Sequence, residues 1–306
     1  EQAMIYLDAV FAEKPNISVV GIAGPGDPFA NPDETMRTLR WVRAAYPDML
    51  LCVATNGLGI GPYIDELAEL QVSHVTVTVN AVDPAISEKI YAWVRHNKRV
   101  LKPADGARAL LEKQLDAIRR LKEKGVTVKV NSIVIPGIND HHVPEVAKKM
   151  GEMGVDILNA VAYYPNEGAA FSDIPEPTKA MIAKIRNAAA EHIPQMHHCT
   201  RCRADAVGML GEKMNEKLMT ALKRCENMET PPIPAEPSAT TDRPNVAVAS
   251  MEGVLVNQHL GEACQLFIYG KENGGISLLE IRDTPEPGDG DQRWKTLADT
   301  IGDCGT

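Results

Sequence analysis

Val20-Gly21-Ile22-Ala23-Gly24-Pro25-Gly26-Asp27-Pro28-Phe29-Ala30-Asn31-Pro32 is a short apolar run that breaks into a glycine–proline turn carrying one acid. Ser18 to Ala23 has the β-branched, continuously apolar character of a strand buried on both faces, and Gly24 and Gly26 then permit backbone angles that other residues resist. Such a turn bares peptide N–H groups. With Asp27 beside them it can hold a zwitterion, the N–H groups facing a carboxylate and the acid facing an ammonium. The same residues also fit a plain strand-to-helix connection in which Asp33 caps a helix beginning at Glu34, because Gly and Pro punctuate turns generally.

Outward from that stretch, one unit recurs between residue 17 and about residue 165: a buried strand, a loop rich in Gly, Asn, Asp or Pro, then an amphipathic helix. The pattern predicts strands at Ser18–Ala23, Met49–Ala54, His74–Asn80, Val126–Ile135 and Asp156–Tyr163. It predicts helices near 34–45, 62–70, 107–124, 143–153 and 177–191, and a helical start at Met4, Ile5, Leu7, Val10 and Phe11. Alternating strands and helices mean a parallel sheet, open or closed into a barrel. In His74-Val75-Thr76-Val77-Thr78-Val79-Asn80 the valines share one face and Thr76, Thr78 and Asn80 the other; Lys129 and Asn131 stand opposite valines in the same way. An edge strand in water explains one such strand. Two suggest a polar face lining a barrel interior or cleft, with chemistry at the strand ends and the loops that follow. Cys52 has the parity of Ala54 on its strand; by spacing it reads as a small buried residue.

Apolar residues make up 44% and charged residues 24% of the 306, which suits a soluble globular protein of one large or about two average domains. A net charge of −9 argues against a nucleic-acid partner. No run is long enough to span a bilayer and no signal peptide is evident, so a cytoplasmic protein is expected, with no membrane partner. The six cysteines, Cys52, Cys199, Cys202, Cys225, Cys264 and Cys304, are scattered but for one pair, which favours thiols and metal ligands over disulfides. That pair, in His197-His198-Cys199-Thr200-Arg201-Cys202-Arg203, is the strongest local signal: two thiols three positions apart can bind one metal or one iron–sulfur cluster, and either histidine can add an imidazole. Half of a zinc site or a redox pair are the other readings, though no second Cys-x-x-Cys exists to complete a four-thiolate site. Ala204 to Cys225 reads as a helix, with Cys225 incidental; residues 229–244 read as a proline-rich linker. Asn245–Ser250, Cys264–Tyr269 and Ile276–Ile281 read as strands of a second α/β unit, with His259 in a loop, either ligand or simply solvated.

Together these residues resemble the radical S-adenosylmethionine (SAM) enzymes, and among them those that build the iron–sulfur–carbide precursor of the nitrogenase cofactor. The matching segments are Gly21–Pro32, Cys52–Leu58, Val75–Pro84, Val130–Asp140 and His198–Gly208, within residues 1–225. The resemblance implies a partial barrel of about six β/α units, here without its first strand and cluster loop. It implies that Gly24, Gly26 and Asp27 hold the aminopropyl end of SAM, Asp27 replacing a commoner glutamate. Thr55, Thr76, Thr78, Asn80, Asn131 and Ile133 would then lie along its ribose, carboxylate and adenine. Cys199 and Cys202, with His198 a further candidate, would ligate one substrate 4Fe-4S cluster and Cys52 the other. Residues 245–306 resemble the start of a NifX/NafY-like cofactor-carrier domain in which His259 is the contact candidate, giving domains at 1–228 and 245–306 joined by 229–244. The implied reaction uses SAM twice, as methyl donor and as source of a hydrogen-abstracting radical, while two four-iron clusters fuse around the new carbon. Cluster donors, downstream nitrogenase cofactor carriers or scaffolds, and a ferredoxin or flavodoxin electron donor are the implied partners. The Cys-x-x-x-Cys-x-x-Cys loop that holds the family's catalytic cluster does not occur among these residues; Glu1 falls within a helical pattern, so the loop is expected upstream and the chain by itself is expected to be inactive. A non-catalytic cluster carrier and another radical SAM maturase with an auxiliary cluster are the alternatives.

Overall fold

The computed structural model describes residues 2–24, 26–97, 99–166, 168–196, 207, 215–226, 228, 243–250, 256, 258, 260–272, 275–286 and 290–305. They fall into two compact units, Glu1–Ala92 with Pro103–Met228, and Trp93–Lys102 with Glu229–Thr306. The linker expected at 229–244 lies outside the described residues except for its last two.

Along the chain, α1 (Gln2–Glu13) leads to β1 (Val19–Ile22), α2 (Pro32–Ala45), β2 (Leu50–Thr55), α3 (Ile64–Glu69), β3 (Val72–Thr78) and the single turn α4 (Pro84–Ser87). A hairpin of β4 (Val94–His96) and β5 (Arg99–Leu101) precedes α5 (Pro103–Glu123), β6 (Thr127–Val134), α6 (Val143–Glu152), β7 (Ile157–Ala162), α7 (Lys179–Ala190) and α8 (Glu216–Glu226). Among the described residues the sheet of the first unit runs β1-β2-β3-β6-β7, and each neighbouring pair is parallel. Pro194–Met196 extends it beyond β7: the Leu158 N–H donates to the Pro194 carbonyl at 2.9 Å and the Met196 N–H to the Leu158 carbonyl at 2.8 Å.

The valines choose the buried side. Val53, Val75, Val77, Val128, Val130 and Val134 are fully buried on one face of the sheet, under Ala117, Ile118 and Leu121 of α5 and Val146 and Met150 of α6. Each such side chain contributes about 1.5–3 kcal/mol by leaving water. Thr76, Thr78, Lys129, Asn131 and Ile133 alternate with them and stand on the opposite face, as the sequence predicts.

Two expectations are corrected. β1 is not buried on both faces: Val19 is 43% exposed, because β1 pairs only with β2 among the described strands and forms the sheet's edge. Asp33 is not the cap, since α2 starts at Pro32 with Asn31 at the cap position; Asp33 sits inside the first turn, where its charge still favours the helix dipole.

In the second unit, β8 (Val246–Ala249), β9 (Gln265–Glu272) and β10 (Gly275–Asp283) form an antiparallel sheet in the order β10-β9-β8, followed by α9 (Gly290–Thr300). Ala249, Ala263, Leu266, Ile268, Leu297 and Cys304 make its core. Arg282 pairs with Asp303 through both terminal nitrogens at 2.6 and 2.9 Å, and Asp303 also accepts from Asn245 Nδ2 at 2.8 Å. These partners hold the Asp303 carboxyl well below the usual carboxylate range. Arg99 of the hairpin and Glu262 form an ion pair at 2.7 Å within this unit.

Candidate functional site

The parallel strands β1, β2, β3 and β6 end at one edge, and the loops leaving that edge are tied together by polar side chains. Asp27 is the first tie. Its Oδ1 accepts from the Phe29 N–H at 2.9 Å, capping the short turn Pro28–Ala30, while Oδ2 accepts from the Thr55 hydroxyl at 2.8 Å and from the Asn56 N–H at 2.5 Å. Thr55 Oγ1 accepts in turn from the Gly57 N–H at 3.1 Å. The turn after β1 is thus clamped to the turn after β2 by one carboxylate. Gly26 adopts φ +86°, and a Cβ added to Gly24 would lie 2.9 Å from the Gly26 carbonyl oxygen. Both positions therefore require glycine.

A second tie comes from Gln114, buried on α5: its Nε2 donates to the Asn56 carbonyl at 2.9 Å and to the Thr78 carbonyl at 2.8 Å, joining the ends of β2 and β3. Gly57, at φ +87°, lies against it; a Cβ there would approach Gln114 Cγ to 2.9 Å. A third tie joins the ends of β3 and β6. Asn80 Oδ1 accepts from the Ile133 N–H at 2.9 Å and its Nδ2 donates to the Tyr91 hydroxyl at 3.0 Å. Fully buried Asn139 donates to the Asn80 and Ile133 carbonyls, both at 2.8 Å, and accepts from the Ile135 N–H at 2.7 Å. His142 Nε2 accepts from the Val82 N–H at 3.1 Å, so its proton sits on Nδ1; burial, the largest cause, holds its pKa below that of a free imidazole.

Below this edge the polar face of the sheet carries a cysteine, a histidine and a lysine. Cys52 and His74 are register partners on β2 and β3, and a register shift between Leu51 and Cys52 leaves Ser73 as an extra residue there. The Ser73 hydroxyl donates to the Leu51 carbonyl at 2.8 Å and meets His74 Nδ1 at 2.8 Å. Burial pushes the Cys52 thiol up, countered by the charge of Lys129; burial and then Lys129 push His74 down. Gly21 is the register partner of Cys52 on β1, and its missing side chain leaves the Cys52 Cβ uncovered on that side. Further along the face, Asn159 Nδ2 approaches Asn131 Oδ1 at 3.4 Å.

Of the site residues expected from sequence, Asp27 and Thr55 meet directly, Gly24 and Gly26 shape the turn beside them, and Asn80 binds the Ile133 backbone. Thr76, Thr78 and Asn131 lie in register along the polar face, with Cys52 towards its opposite end. His198, Cys199, Cys202 and His259 lie outside the described residues; Met196, which closes the last pairing in the sheet, precedes Cys199 by three positions. Gln114, Asn139, His142 and Tyr91 escaped the sequence reading. Asn139 falls within the matching segment Val130–Asp140 with nothing local to single it out, and a glutamine on the apolar stripe of α5 is the one signal for Gln114.

The glycine turn, which a Cβ would obstruct, together with the polar face beneath the clamped edge, fits an amino-acid-bearing nucleoside such as SAM. The cysteines do not fit the three-thiolate cluster of the radical SAM family: none of the six has the Cys-x-x-x-Cys-x-x-Cys spacing, and among the described residues no three His, Cys, Asp or Glu side chains converge as metal ligands.

Residues 4–150 match the Radical SAM superfamily. The FeMo cofactor biosynthesis protein NifB of Chlorobaculum tepidum is 55% identical over 305 residues, covering 99% of this chain and 70% of the relative. The protein of the same description from Klebsiella pneumoniae is 36% identical over 328 residues, covering 99% of this chain and 70% of the relative. That from Azotobacter vinelandii is 34% identical over 327 residues, covering 92% and 63%. Nearly the whole chain aligns with relatives well above 30% identity, so it belongs to the radical SAM superfamily and, within it, to the NifB family of FeMo cofactor biosynthesis proteins.

Proposed function

We propose that this chain is the SAM-binding and cargo-holding part of an enzyme that fuses two 4Fe-4S substrate clusters and inserts a SAM-derived carbon, making the eight-iron precursor of the nitrogenase cofactor. The observation that carries the reading is the clamp of Asp27 on Thr55 and Asn56, which sets a glycine turn above a polar sheet face. When bound there, SAM supplies the carbon and the hydrogen-abstracting group. The turn at Gly24 and Gly26 receives the amino-acid end, with Asp27 opposite the ammonium. Thr78 and Asn131 face the ribose and carboxylate, and Ile133 packs its side chain on the adenine.

The substrate clusters are anionic, so they suit thiolates set among cations. Cys199 and Cys202 flank Arg201 and precede Arg203; for Cys52, whose thiol burial pushes up, the charge of Lys129 offsets part of that burial. His198 and, in a carrier-like domain at 245–306, His259 are proposed as further contacts to iron or finished cofactor. The domains are taken as 1–228 and 245–306 about a 229–244 linker. The family's catalytic cluster takes its ligands from outside residues 1–306, so these residues by themselves hold the nucleotide without cleaving it. A ferredoxin or flavodoxin supplies electrons in the cytoplasm, cluster donors load the protein, and a nitrogenase cofactor carrier or scaffold receives the product.

The test uses the protein extended upstream to include a three-cysteine loop, prepared anaerobically and reconstituted with iron and sulfide. It is expected to form both S-adenosylhomocysteine and 5′-deoxyadenosine from SAM; absence of both overturns the proposal. Replacing Cys199 and Cys202 by alanine removes about one cluster's worth of iron, and unchanged iron counts against the pair as ligands.

A further inference from the structure

We infer that Tyr91 is a ligand-contacting residue of the SAM site, donating its phenol O–H to an acceptor on the adenosyl moiety. The inference rests on the proposed SAM site and changes which side chain reads the nucleoside there. Sequence places Asn80 along the ligand. In the structure Asn80 is only 6% exposed and works within the protein, its Oδ1 on the Ile133 N–H, its carbonyl on Asn139 and its Nδ2 on the Tyr91 hydroxyl. Both backbone groups of Ile133 are engaged as well, the N–H by Asn80 and the carbonyl by Asn139. Beyond Thr78 and Asn131, what this end of β3 and β6 still offers is therefore the half-buried Ile133 side chain and the phenol.

A hydroxyl carries one proton and two lone pairs. Asn80 fills one lone pair of Tyr91, and no acceptor for the Tyr91 proton occurs among the described residues. A partly buried donor gains from a partner, so the group suits an acceptor that arrives with the ligand. The backbone that carries it is held: Asp83 Oδ1 caps α4 through the Ala85 N–H at 2.9 Å, and the Tyr91 N–H closes on the Ser87 carbonyl at 3.0 Å. Burial, outweighing the Asn80 hydrogen bond, raises the phenol pKa, so the group remains a donor at any physiological pH. An adenosyl group offers two kinds of acceptor to such a donor, purine ring nitrogens and ribose oxygens.

The experiment is calorimetric titration of the full-length protein with S-adenosylhomocysteine, wild type against Tyr91→Phe, which removes only the hydroxyl. The variant is expected to bind about 5-fold more weakly, the size of one neutral hydrogen bond, and to melt slightly lower because Asn80 Nδ2 loses its acceptor as well. A panel of 1-, 3- and 7-deaza and 2′- and 3′-deoxy analogues then finds the partner atom: the penalty of Tyr91→Phe disappears for the one analogue that lacks the acceptor. Equal affinity of variant and wild type overturns the inference and leaves the SAM site standing; so does a penalty that stays the same for every analogue. Failure of the folded wild-type protein to bind S-adenosylhomocysteine at all overturns the site and this inference together. Should the variant not fold, the panel on wild-type protein decides: one analogue weakened about 5-fold supports the contact, and none weakened overturns it.

Discussion

Asp27 spends its carboxylate on three protein donors before any ligand arrives: Phe29, Thr55 and Asn56. An amide of the same shape cannot do this. In Asp27→Asn one oxygen becomes an NH2 group, which then faces either the Phe29 N–H or the pair of donors on the β2 side, donor against donor. Hydrogen bonds to charged groups are worth about 1.5–3 kcal/mol, so losing them loosens the turn after β1 from the end of β2. We expect at least about a 10-fold drop in SAM affinity by calorimetric titration, with circular dichroism unchanged, since no strand or helix interior is touched. At this scale the sequence was informative wherever chemistry is local. The glycine turn and its acid stand side by side in the chain and are legible; the partners of Asn80 are not, because Tyr91, Ile133 and Asn139 lie from 11 to 59 positions away.

Helix α5 shows what an element adds beyond its periodicity. Leu115, Ala117, Ile118 and Leu121 dock it on the valine face, and the same stripe carries Gln114 onto the Asn56 and Thr78 carbonyls. Gln114→Ala would leave two part-buried carbonyls without that donor and a small cavity against Gly57, so a loss of about 1–3 kcal/mol by urea denaturation is expected. Repeating strands and helices are legible because the alternation of valine and threonine sets both the strand and its buried face; the ends of the parallel strands lie within two residues of those expected, while α5 starts four residues before the expected 107. The β4–β5 hairpin was not, since each strand spans three residues and its turn is set by Asn97 at φ +51°, too little chain for a period to show. The edge character of β1 was hidden for a different reason: an apolar run records that a strand forms, not how many neighbours it has.

Across the whole molecule, the two units should answer acid differently. His74 and His142 in the first unit have folded-state pKa values below that of a free imidazole, so the unfolded chain binds protons first, and the stability they confer is lost as pH falls through about 6.5 and below. Protonating His142 also removes the lone pair that accepts from Val82. Asp303 in the second unit is shifted the other way: with its folded pKa depressed, its contribution is present above the ordinary carboxylate pKa of about 3.9 and fades only below it. Scanning calorimetry at pH 7.5 and pH 5 should therefore show the transition of the first unit moving down while that of the second holds. His142→Gln, which keeps an acceptor for Val82 without titrating, should shrink the shift, and an equal shift in both transitions would contradict the assignment. The outer rim of β1 carries one more consequence. Val19 and Leu50, register partners exposed at 43% and 47%, stand beside a row of backbone groups that no described strand completes. Such a border is adhesive towards any extended peptide, another molecule of the same polypeptide included, so concentrated preparations of these residues carry a built-in tendency to templated clumping.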